Sequence, residues 1–311
     1  MNHHRFSPTR VIVGNELRAL ARERTFHLLL AIFLGMTFFS VYIGWSTRTT
    51  TNGIYHASVA YLAAQGITNV VPNPLASISP LLVFDNMLIY VLLIGALLAI
   101  VIGHRSFVRE RKSGTLPLTF VRPVSKAQYA FAKLLGIFLA LAGIVAATYC
   151  VSAASALLIP ALHLTAAELL RLLLFYAVSL VYLCLFAGIG LLFAVMMANE
   201  STALFMPILL WVAAVFILPE LTTGQNPVAL LNPVTLANAL PDQGPFFAAT
   251  HSILGPLSVG QFYTKSGLSA LGASSDGMAG PLSGLVGYAL AVVGVCAYAL
   301  QHRTGANDLS L

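Results

Sequence analysis

The densest chemistry in this chain lies between residues 104 and 133. Arg105, Arg109, Glu110, Arg111, Lys112, Ser113, Gly114 and Thr115 follow in close order, then Arg122-Pro123-Val124-Ser125-Lys126 and Lys133. A helix that carries the first group, stops at Gly114 and restarts after Pro123-Val124-Ser125 makes a rigid elbow suited to docking into a partner's cleft. On charge alone the same residues read as a basic loop that sets membrane topology. A second polar turn, Ala198-Asn199-Glu200-Ser201-Thr202, offers Glu200 as its one charge. It is a minor candidate contact, and equally a capped turn with Asn199 ending one helix and Ser201 starting the next. Asp85 stands near the end of an apolar stretch. It is a candidate pathway residue, although a carboxylate at that depth also fits an interfacial position beside Asn86.

Catalytic patterns are missing. There is no G-x-x-x-x-G-K-[ST]; the nearest string, Gly260 to Ser266, lacks the second glycine. H-E-x-x-H and G-x-S-x-G are absent too. His56, His163 and His251 share no ligand spacing, and Cys150, Cys184 and Cys296 fall singly in apolar runs as packing residues. The chain reads as non-enzymatic, with no metal and no cofactor of its own.

The elements that carry these groups follow from composition. Of 311 residues, 58% are hydrophobic and 8% charged, against about 25% charged in an average soluble domain. Stretches near 20 residues almost free of charge, long enough to cross roughly 30 Å of hydrocarbon, occur at 26–46, 81–103, 134–159, 169–198, 202–219 and 280–301. Only Asp85 and Arg171 are charged within them. Unbroken apolar runs of this kind are helices and not barrel strands, so the expected fold is an all-α membrane protein with six transmembrane helices. Residues 1–25 predict an amphipathic elbow helix with Val13, Leu17 and Leu20 on one face and Gly14, Arg18 and Arg22 on another. Segments 47–80 and 220–279 are exterior and predict short surface or re-entrant helices, two of them at Asn226-Pro227 and Asn232-Pro233. Thr165 to Glu168 is a capping box opening the fourth span. Gly280, Gly284, Gly287, Ala291 and Gly294 form a small-residue seam expected to pack within the subunit.

Lys and Arg number 13 on the side of both termini and the 104–133 loop and three on the other. That bias places the termini and the loop in the cytoplasm. The net charge of +6 then expresses topology and attraction to anionic lipid, with no nucleic-acid partner implied. The absence of paired intramembrane ions weighs against the alternative reading, a secondary transporter or channel with no ATPase partner.

The string R-E-x-x-S-G-T-L-x-L at 109–118, followed by P-V-S-K at 123–126 and Lys133, resembles the loop of ABC-2 type transporter permeases. Ala132 stands where that family is expected to have glycine. The six-span layout, the amphipathic N-terminus and the exterior segment before the last span resemble the family as well. In size the chain is similar to the nitrous-oxide-reductase maturation permease group. The resemblance implies a permease subunit, most often an exporter, that works as a homodimer with two copies of a separate ABC ATPase in the bacterial inner membrane. ATP and Mg would bind the partner ATPase, and the 104–128 loop with Glu110 and Gly114 would act as its coupling element. The long exterior segments would suit a periplasmic partner protein.

Overall fold

Six helices in the computed structural model are long and apolar enough to cross a membrane: Phe26–Ala64, Pro80–Lys112, Lys126–Leu158, Ala166–Met196, Glu200–Ile217 and Ala279–His302. The structure describes residues 8–67, 71–73, 75, 78–115, 124–159, 162, 164–219, 249, 252–273 and 277–303, and among these no strand occurs. In chain order, α1 is Pro8–Arg22, α2 Arg24–Ala64, α3 Pro80–Lys112, α4 Lys126–Leu158, α5 Ala166–Met196, α6 Glu200–Ile217, α7 Val259–Leu271 and α8 Ala279–Arg303. The end of the bundle that holds α1, the end of α3 and the α5–α6 turn is called the base below.

α5 is the central post. α3, α4, α6, α7 and α8 all pack on it, and α3 does so most extensively. The reason is visible in two glycines. A Cβ at Gly103 would run into the carbonyl of Ala187, and one at Gly190 into the carbonyl of Ile100. The two backbones therefore touch directly, the close approach that small residues permit between helices in lipid, where no hydrophobic force drives association. α5 opens with the Thr165–Glu168 capping box. α4 opens with another, in which Ser125 accepts from the Gln128 amide and the Gln128 side chain accepts from Ser125 N.

Two helices are interrupted at similar depth by a π turn, Val91–Gly95 in α3 and Ala213–Ile217 in α6. The Leu92 carbonyl accepts from the Tyr182 hydroxyl at 3.0 Å and from Trp211 Nε1 at 3.5 Å. Tyr182 in turn stacks on Tyr263 of α7, with ring centroids 4.4 Å apart. α7 is thus buried inside the bundle, its C-cap Gly272 lying beside Ser79 and Arg171. This helix lies within the 220–279 segment expected to carry short helices. Asn226-Pro227 and Asn232-Pro233 lie outside the described residues.

Three differences from the sequence reading have physical reasons. α2 does not stop near residue 46: its 41 residues run to Ala64, about 60 Å of helix, because 47–64 contains no proline and only Gly53 as a weak breaker. The returning chain leans on this extension through Tyr55 to the Val71 carbonyl and Asn73 to Asn52. Among the described residues the small-residue seam of α8 finds little to pack on: of its glycines only Gly284 meets a neighbour there, the Phe262 ring, while Gly280, Gly287, Ala291 and Gly294 are exposed. Cys296 is buried and donates to the Gly188 carbonyl, whereas Cys150, expected as a packing residue, is exposed among the described residues.

The α3–α5 crossing sets a test. Gly103→Ala forces the backbones apart and should cost about 1–3 kcal/mol, as overpacking does. Gly143→Ala, where a Cβ meets nothing within 4 Å, should leave thermal unfolding in detergent unchanged. Equal melting of the two variants would contradict the direct backbone contact.

Candidate functional site

The side chains that make α1 amphipathic also make it charged on the wrong face. Val13 and Leu20 are buried as expected, and between them Glu16 is 3% exposed. Its partner is Lys133 of α4, fully buried, whose Nζ donates to Glu16 Oε2 at 2.7 Å, Glu110 Oε1 at 2.7 Å and the Ser106 carbonyl at 2.6 Å. Gly136, one turn along α4, leaves room for the Glu16 side chain, which a Cβ there would meet at 2.9 Å. The second Glu110 oxygen accepts from the Tyr129 hydroxyl.

Arg109 completes the bracing. It reaches Glu16 Oε1 at 3.1 Å and Glu23 Oε1 at 2.9 Å, and Arg105 stands 3.9 Å from Glu23. Glu23 is the single extended residue between α1 and α2, so the elbow bend itself carries a carboxylate clamped by α3. Three cations and three carboxylates from α1, the elbow, α3 and α4 thus neutralise one another, with Lys133 and Glu16 buried at the centre, where ion pairs need several hydrogen bonds to be sustained, and Arg105 half exposed at the edge.

Arg111 turns the other way. Its guanidinium donates to the Met197 carbonyl at 2.9 Å and the Ala194 carbonyl at 2.6 Å, placing a cation at the negative end of the α5 dipole. It also lies over the Phe107 ring. Lys112 pairs with Glu200 at 2.6 Å. Both are exposed, so the pair contributes little stability, but it merges the two candidate contact segments into one patch. Asn199 does not end α5. It is the N-cap of α6, accepting from the Ser201 amide at 2.9 Å, because α5 already closes at Met196.

The candidate residues therefore sort by position. Arg109, Glu110 and Arg111 point inward and hold α3 to α1, α4 and α5. Lys112, Ser113, Gly114 and Thr115 form an exposed tip, with Asn199 and Glu200 beside it. Gly114 has φ +64 and follows the α3 C-cap Ser113, the left-handed stop anticipated for glycine. The Ser113 and Thr115 hydroxyls bond each other at 2.8 Å. Arg122 lies outside the described residues. Asp85 sits far from this base, exposed in the first helical turn after the Pro80–Phe84 3-10 segment. Glu16 and Lys133 are the members that sequence reasoning missed as a pair. The signal for Glu16 was a carboxylate in register with Val13, Leu17 and Leu20. Lys133 looked like a span boundary, whereas α4 begins seven residues earlier.

The sequence model of the family described as ABC-2 family transporter protein matches residues 10–300. No curated protein matches the chain.

Lys133→Met would leave Glu16 and Glu110 charged without their shared cation, a loss of about 3–5 kcal/mol on the scale of broken buried pairs. Glu16→Gln combined with Lys133→Met should destabilise by clearly less than the sum of the two single changes, since one vacancy relieves the other. Thermal unfolding in detergent measures this cycle, and additive losses would show that the two groups do not interact.

Proposed function

The chain belongs to the ABC-2 transporter family and is a multi-pass membrane subunit of that kind, and we propose that it is the permease of an ATP-driven exporter coupled to a separate ABC ATPase through the base. The observation that carries this reading is the exposed tip Lys112–Thr115, joined to Glu200 and mounted on a helix end braced on three sides. A partner engaging that tip moves α3, and the buried ion pairs oblige α1 and α4 to follow. The backbone contact of Gly103 with α5 carries the displacement into the bundle. This is the rigid-body kind of two-state switching, in which packed interfaces jump between arrangements and do not deform continuously.

ATP and Mg would bind the partner, in keeping with a sequence that holds no G-x-x-x-x-G-K-[ST]. The 13 to three distribution of Lys and Arg supports a cytoplasmic base and termini in a bacterial inner membrane. A second copy, two ATPase chains and export as the direction are what the family implies. The extension of α2 through residue 64 gives the far side a helix long enough to meet a periplasmic protein.

Gly114→Val cannot hold φ +64 without strain, and Glu200→Lys turns the Lys112 pair repulsive. Both variants should insert and melt like the parent, yet lose about tenfold or more in co-purifying ATPase chain and in vanadate-sensitive ATP hydrolysis of the gently extracted complex. Full retention of both activities would refute coupling at this tip.

A further inference from the structure

At the end of the bundle away from the base, α2 and the last turns of α4 enclose a groove of about 300 Å³, the lower end of the range for ligand cavities. Phe38, Val41, Tyr42 and Trp45 form one wall, and Ser155 and Leu158 the other. Ser155 donates its hydroxyl to the Val151 carbonyl at 2.7 Å, so the α4 wall offers no free polar side chain. The rise of α2 sets the level of the groove. From Phe26 at the base, Trp45 lies about 28 Å along the helix, close to the roughly 30 Å thickness of hydrocarbon. Tyr42 and Trp45, with ring centroids 6.2 Å apart, therefore stand at the far membrane boundary, where aromatic side chains with one polar end collect. Arg48, two turns beyond Val41 and in register with it, is about 33 Å from Phe26 and reaches the headgroups. The polar groups at this rim are unused. Among the described residues Arg48 makes no ion pair or hydrogen bond, and neither the Tyr42 hydroxyl nor Trp45 Nε1 has a partner.

We infer that this groove holds one phospholipid of the leaflet opposite the base, with an acyl chain between α2 and α4 and the phosphate against Arg48. A guanidinium fork suits phosphate oxygens, and Trp45 and Tyr42 donate to the ester carbonyls at the boundary. Phe38 and Val41, farther inward, meet the chain. Only an amphiphile satisfies both halves: free phosphate would leave the apolar walls empty, and a chain without a phosphate would leave Arg48 uncompensated. A second copy of the protein fits less well. No Asp or Glu occurs between Glu23 and Asp85, so two α2 helices meeting here would bring arginine to arginine without a countercharge. The site depends on the membrane-crossing placement of α2 and α4, and it holds whether or not an ATPase docks at the base.

Native mass spectrometry of the full-length protein in detergent tests the assignment. Dioleoyl phosphatidylglycerol should be retained at one molecule per chain about fivefold better than dioleoylglycerol, which has the same chains and no phosphate. Arg48→Gln should erase that preference, and Ser155→Leu, which fills the groove, should weaken both lipids. Arg18→Gln, at the base, should alter neither, and millimolar inorganic phosphate should not displace the lipid. Equal retention of the two lipids by the parent, an undiminished preference in folded Arg48→Gln protein, or unchanged retention in folded Ser155→Leu protein would each overturn the assignment. So would an equal loss in Arg18→Gln or displacement by inorganic phosphate. Disulfide cross-linking between copies of Trp45→Cys in a Cys150→Ser background in membranes would put a second copy in the groove and overturn it as well.

Discussion

An ammonium group with no exposure at all cannot stay charged in a membrane protein unless its surroundings supply the countercharge, and Lys133 is that group here. Its requirement fixes much of the base. Glu16 satisfies it only if α1 lies across α4 at Gly136, which is where the absent Cβ makes room. Glu110 and the Ser106 carbonyl satisfy it only if α3 continues as helix well past its apolar stretch. Arg109 then shares Glu16 and draws in Glu23, so the bend between α1 and α2 is held by the same network. One buried cation thereby specifies the relative placement of four chain segments.

That placement explains how a short polar tip can matter to a large apolar bundle. Lys112 to Thr115 are exposed, but they end a helix that is braced by Glu16 and Lys133 on one side and by Arg111 on the α5 carbonyls on the other. The Gly103 and Gly190 approach then links α3 to α5 backbone to backbone. Farther up, the π turns of α3 and α6 and the Tyr182–Tyr263 stack mark where regular helix gives way. Wider turns of this kind recur at functional positions because they leave carbonyls for side chains to claim, as Leu92 does with Tyr182 and Trp211.

Much of this was legible in the sequence because lipid imposes a simple rule: long uncharged runs must be helices. The six spans, the elbow, the capping box at Thr165 and the left-handed stop at Gly114 all follow from local pattern. What was not legible depends on neighbours. Nothing local to Glu16 reveals that it faces Lys133, 117 residues away. The five small residues of α8 look like a packing seam, yet whether another helix lies against them is a property of the fold. The long continuation of α2 escaped because polarity marked its end as exterior, and polarity says where a segment lies, not whether it stays helical.

The central claim is that α1, the tip of α3 and the start of α4 form one rigid unit tied by Lys133. Spin labels at Arg18 and Ser113 of the same chain, in protein diluted with unlabelled copies, measure it by pulsed dipolar spectroscopy with and without nucleotide and vanadate trapping. A single narrow distance that does not change on trapping, and that broadens when Lys133 is replaced by Met, is the predicted result. A distance that shifts on trapping, or that is indifferent to Lys133, would contradict the account.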